Sequence, residues 1–158
     1  MAKQRRLFCE INPFFYYLSE QKQILMRKIK NFKRKKPFSN EKSKVSLPDL
    51  IYKVSSKLIK TGPGVDPVLQ YNKVDNIKIA SEKIDGIIIK PGEEFSWWSL
   101  VGKTNSKNGY KKGRLIERGK VIEGYGGGLC NLANTINLLI LHSPLNITEF
   151  HMHTDALS

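Results

Sequence analysis

The chain has 158 residues, 40% of them apolar, which is enough for one cored domain with an appendage and too little for two full domains. Its formal net charge is +13, and 16 of the 27 Lys/Arg but only 4 of the 14 Asp/Glu fall within residues 1–60, so the basic excess belongs to an N-terminal segment and the rest is nearly neutral. No apolar run of about 18 residues exists to cross a bilayer, and two cysteines, Cys9 and Cys130, exclude a disulfide framework.

The opening stretch, MAKQRRLFCEINPFFYYL, starts positively charged like a signal peptide, but Glu10, Asn12 and Pro13 interrupt any apolar h-region. Residues 19–36 read as a basic amphipathic helix with Ser19 as its cap and Ile24, Leu25, Ile29 and Phe32 near helical spacing. Phe14 to Tyr17 precede it and suit a protein or lipid interface. Residues 37–46 are polar and read as a linker, 47–58 as a weaker helical pattern, and 61–64 as a turn. The two parts expected are thus a basic, partly helical arm with its linker over 1–45 and a domain over 46–158.

From Asp66 the texture changes. Asn72 to Asp85 is predicted helical, with Val74, Ile77, Ala80 and Ile84 on one side and Gly86 at the C′ position. Ile87-Ile88-Ile89 has the continuous apolar character of a buried strand. Pro91-Gly92 turns the chain, and 94–98 is predicted extended. Residues 102–113 are expected to form a surface loop, and 115–122 a strand or hairpin. A glycine-rich turn over 124–128 leads into the longest apolar helical pattern, Leu129 to Leu141, which Pro144 ends; 145–153 is predicted extended. Helices and strands mix without strict alternation, so the expected class is α+β, a small mixed sheet packed on the amphipathic helix and on the glycine-preceded cysteine helix.

The strongest local signal is Gly124-Tyr125-Gly126-Gly127-Gly128-Leu129-Cys130-Asn131. Glycines permit φ > 0 and close backbone approach, and here they deliver Cys130 to a helix N-terminus, where amides and the helix dipole favour a thiolate. A cysteine nucleophile also needs a base. Candidates are His151 and His153, which share a face if their segment is a strand. A buried structural cysteine is the competing reading, because Leu132, Ala133 and Ile136 follow in a core-facing pattern. A zinc site built from Cys130, His151 and His153, with His142 as a fourth ligand, lacks the close paired spacing of zinc folds. Accordingly no metal and no cofactor are expected. Gly124 and Gly126 do not complete a dinucleotide motif, and Gly102-Lys103-Thr104 lacks the leading glycine of a phosphate loop.

Several blocks in order resemble the VanW-like family of vancomycin-type glycopeptide-resistance accessory proteins. Asn72 to Ala80 followed by Gly86 to Trp98, with its Pro-Gly-Glu-Glu-Phe-Ser-Trp core, resembles the family's opening signature. Val101-Gly102 and Gly109 to Gly113 resemble its middle, Gly126 to Asn131 its triple-glycine–cysteine core, and Glu149 to Thr154 its histidine end. The match covers roughly 66–158. Asn131, Phe150 and Thr154 stand where the family usually has glutamine, arginine and serine, and the loss of a five-donor arginine is not conservative. Family members continue past the histidine block, so the C-terminal part of the domain is expected to be missing here, leaving a marginally stable chain with open edges.

The resemblance implies a role in glycopeptide resistance or cell-wall metabolism. In the thiol reading, Cys130 is the nucleophile and His153, which matches the family histidine, or His151 is its base. Gly126, Gly127, Gly128 and Asn131 would then hold a wall-precursor peptide. In the rival reading, a non-catalytic module binds a wall precursor or partner protein through Trp97, Trp98 and Tyr110. The basic segment 1–60 fits an anionic membrane surface. Nucleic acid is not expected as a partner, for want of any zinc-finger, RNP or helix-turn-helix pattern. Two thiols in unlike surroundings suit a reducing compartment, so the expected location is cytoplasmic, at most peripheral to the membrane.

Overall fold

The computed structural model describes residues 12–117 and 120–149. Two compact units emerge, residues 1–37 with 91–94, and residues 38–90 with 95–158.

In the first unit, helix α1 spans Pro13–Phe32. It starts six residues earlier than the sequence suggests, because Asn12 caps it: Asn12 Oδ1 accepts the Phe15 amide at 3.0 Å, and Pro13, which has no N–H to satisfy, opens the first turn. Phe14 to Tyr17 therefore lie inside the helix, and Ser19 is not its cap. Arg34 pairs with Glu94, and the Glu94 amide donates to the Pro37 carbonyl at 3.0 Å.

In the second unit, α2 covers Pro67–Ile84, again with a Pro at the first turn, behind an Asp66 cap that takes the Val68 amide at 2.7 Å. Short α3 (Trp97–Val101) follows, then the hairpin β1 (Lys112–Glu117) and β2 (Lys120–Tyr125), and finally α4 (Leu129–Leu141). The strands are antiparallel, with Gly113 opposite Gly124 and Leu115 opposite Ile122. The class is α+β, with a two-stranded antiparallel sheet among the described residues rather than a mixed one. The core is small. Ala80, Val101 and Tyr110 are fully buried, and Ile79, Ile84, Trp97, Leu129 and Leu132 pack around them.

Four local expectations give way to tertiary structure. Residues 47–58 form no helix; Pro48 interrupts the pattern, and the Leu58 carbonyl accepts the Lys73 ammonium at 2.5 Å. Ile87 makes a single antiparallel bridge to Lys42 instead of entering a strand, and the Ile88 amide donates to the Glu41 carbonyl. Within the predicted extended segment 94–98, Trp97 and Trp98 instead open the helix α3, since Ser96 Oγ caps the turn by accepting the Ser99 amide at 3.4 Å. Leu145 to Glu149 is irregular, and residues 150–153 of that predicted segment lie outside the described residues. No helix among the described residues is long and apolar enough to cross a membrane.

Candidate functional site

The glycine turn is built from α2 outward. Asn72 and Asn76 sit one helical turn apart and share a face. Asn72 Nδ2 donates to the Lys112 carbonyl at 2.8 Å. Asn76, completely buried, donates through Nδ2 to the carbonyls of Lys111 (2.9 Å) and Gly127 (3.0 Å), while its Oδ1 accepts the Lys111 amide at 2.8 Å. One side chain thus fixes the start of β1 and the glycine turn together. Asn76 is the residue that sequence reasoning missed. Its signal was a second asparagine one helical turn after Asn72, in line with Ala80 on the same helix face.

At Gly127 the turn passes so close to β1 that a Cβ would lie 2.6 Å from the Gly113 Cα and 2.8 Å from the Arg114 nitrogen. Gly128, with φ +95°, holds the left-handed conformation that starts α4, and the aliphatic stem of Lys73 lies directly over it. Gly126 is buried and donates its amide to the Lys111 carbonyl at 3.2 Å, so that amide faces the fold rather than a ligand. The chain emerges from the turn with Cys130 and Asn131 both exposed in the first turn of α4. Exposure of the thiol sets aside the buried-cysteine reading.

Basic side chains cluster beside the turn. The Lys73 ammonium donates to Leu58 O and to Gln70 Oε1 (2.9 Å), and Gln70 Oε1 also accepts the Lys60 amide at 3.2 Å. Burial, reinforced by the neighbouring Lys60 and Arg114 charges, holds the Lys73 ammonium below the usual lysine pKa. Glu123 stands opposite Arg114 across the hairpin without forming an ion pair to it among the described residues.

The other expected site residues separate. His142 ends α4, twelve residues and about 18 Å from Cys130 along one helix, so the two cannot share a metal or a proton. Its ring instead stacks on Tyr52, centroids 4.0 Å apart, with Nδ1 2.9 Å from the Leu138 carbonyl. Accordingly, His142→Ala should leave Cys130 alkylation by iodoacetamide unchanged. A reactivity shift above about twofold would tie the two ends of the helix together. His151 and His153 lie outside the described residues. Among the described residues no three His, Cys, Asp or Glu side chains gather to hold a metal.

The aromatic surface expected of a binding module also divides. Tyr110 is a core residue, 2% exposed, with Lys83 Nζ 5.1 Å from its ring centroid, so it offers no contact surface. Trp97 packs against the core, whereas Trp98 is 64% exposed.

The sequence profile described as "VanW like protein" matches residues 72–158. The chain is 37% identical over 108 residues to the Vancomycin B-type resistance protein VanW of Enterococcus faecalis, covering 68% of this chain and 39% of that protein. It is 32% identical over 125 residues to the uncharacterized protein YoaR of Bacillus subtilis, covering 73% and 41% respectively. The chain therefore spans about two-fifths of the length of these curated relatives. No solved structure matches it.

Proposed function

The chain belongs to the VanW-like family, and from that membership we propose that it serves glycopeptide resistance as an accessory protein that engages a cell-wall-precursor peptide at the glycine turn, with Cys130 as the reacting group. The observation that carries this reading is the exposed Cys130 delivered by Gly128 to the first turn of α4. Lys60 and Arg114, whose charges act on Lys73 beside the turn, suit a ligand bearing a carboxylate, as a peptide C-terminus does. In the thiol reaction, Cys130 Sγ would bond to the carbonyl carbon of an amide, the C–N bond would break, and the thiol proton would leave with the amine. His151 and His153 are the histidines available as proton carriers.

The exposed Trp98 favours a second reading, in which the surface around it binds a wall precursor or a partner protein without chemistry. Cys130→Ser separates the two. In a glycopeptide-resistant host that depends on this protein, thiol chemistry predicts loss of the resistance contribution with Cys130→Ser and none with Trp98→Ala. Iodoacetamide labelling of Cys9→Ser protein should show Cys130 reacting in the folded state. Full resistance with Cys130→Ser, together with loss on Trp98→Ala, would replace chemistry by binding.

A further inference from the structure

Helix α1 distributes its exposure against its hydrophobicity. Phe14, Leu18, Leu25, Ile29 and Phe32 recur at spacings of 4, 7, 4 and 3, which places them in one row along the helix. Every member is exposed: 66%, 47%, 57%, 41% and 92%. The half-buried positions of the same helix are Phe15, Ser19, Arg27 and Asn31, mostly polar, and none of its residues is fully buried. Tyr17, Ile24 and Met26 add further exposed apolar area. An apolar row of this length left in water is costly and marks a surface that meets something else.

Charge identifies the occupant. Between Pro13 and Phe32 the helix carries Lys22, Arg27, Lys28 and Lys30 against the single Glu20, and Lys33, Arg34, Lys35 and Lys36 follow immediately. Lys22 and Lys28 flank the apolar row on its two sides by helical geometry. Nucleic acid would meet the charges but has no use for five aligned apolar side chains. An anionic phospholipid surface takes both, with headgroups for the lysines and the acyl boundary for Phe14, Leu25 and Phe32. The helix is about 30 Å long and too polar to cross the bilayer, so it would lie in the interface plane. We propose that α1 is an interfacial anchor that docks the protein on anionic membranes through this row and its flanking lysines.

The test is co-sedimentation of the full chain with vesicles of phosphatidylcholine containing 30% phosphatidylglycerol by composition (about a third anionic, in the range that polybasic segments sense). Binding should be absent from pure phosphatidylcholine and weaken in high salt. Lys22→Gln with Lys28→Gln and Lys33→Gln should weaken it roughly a hundredfold, at about fivefold per basic residue. Leu25→Glu with Phe32→Glu should abolish it while circular dichroism shows helix content unchanged. Equal binding to neutral vesicles, or binding that survives the two glutamates, overturns the proposal. So does a concentration-dependent dimer in sedimentation velocity that Leu25→Glu dissolves, which would assign the row to a second copy of the chain.

Discussion

Gly127→Ala is expected to destabilise the protein by about 3 kcal/mol, at the upper end of what overpacking a tight site costs, and to lower the melting temperature by roughly 10 °C for a chain of this size. The methyl group would sit 2.5 Å from the Gly113 carbonyl carbon and 2.6 Å from its Cα, and both obstacles are backbone. Backbone cannot swing aside as a side chain does, so β1 and the turn must separate. That movement also pulls the Gly127 carbonyl away from Asn76 Nδ2, now 3.0 Å distant. Two neighbours calibrate the effect. At Gly113 a Cβ would approach Gly127 Cα only to 3.0 Å, so Gly113→Ala should cost less, about 1 kcal/mol. At Gly128 the methyl group would lie 2.0 Å from Lys73 Cγ, on a stem whose ammonium is held by Leu58 and Gln70, and φ is +95°, so Gly128→Ala costs about 2 kcal/mol for displaced packing and a left-handed backbone. Thermal melts should place Gly127→Ala lowest, Gly128→Ala next and Gly113→Ala nearest the parent, and a Gly127→Ala protein as stable as the parent would show that the turn and β1 are not in close contact.

The glycine turn was legible in the sequence because its two cues act locally. Glycines release the backbone, and the apolar periodicity from Leu129 to Leu141 demands a helix immediately afterwards. The hairpin and the helix ending before Gly86 were readable for the same reason. What failed was whatever depends on distant partners. The Leu47–Leu58 pattern is weakly helical by itself, yet the segment lies irregular, with Leu58 O accepting Lys73 and the Lys60 amide held by Gln70. Tyr110 sits in a loop rich in glycine, lysine and asparagine, whose composition reads as surface. Its ring is nonetheless buried because α2 and α3 close over that loop with Ala80 and Val101. Trp97 and Trp98 are adjacent and chemically identical, and only the turn of α3 assigns one to the core and one to solvent. The partners of Asn76 were unreadable for a related reason, since the three groups it bonds lie 35 and 51 residues away in sequence.

Asn76 should also be the most demanding polar position in the fold. Asn76→Leu is expected to cost about 3 kcal/mol or more, since it strands the Lys111 amide, the Lys111 carbonyl and the Gly127 carbonyl, and each buried unpaired group costs about 1–3 kcal/mol. Asn76→Asp preserves the shape and should be no better at neutral pH. An ionised carboxylate can still accept the Lys111 amide, but its second oxygen would face the two carbonyl oxygens that now receive Nδ2. That environment disfavours the charged form, so the folded-state pKa of the introduced acid rises above its unfolded value of about 3.9. For an acid raised in this way the folded protein binds the extra proton, and stability is lost as pH increases from the unfolded value through the folded one. The deficit of Asn76→Asp relative to the parent should therefore be largest at neutral pH and shrink as pH falls toward about 4, where a protonated carboxyl can donate to one carbonyl. Asn76→Leu, with nothing to titrate, should show a deficit that does not change with pH. Urea melts of the parent and both variants from neutral to mildly acidic pH measure the difference directly. A constant gap for Asn76→Asp would mean that the side chain at this position reaches water instead of the Lys111 and Gly127 carbonyls.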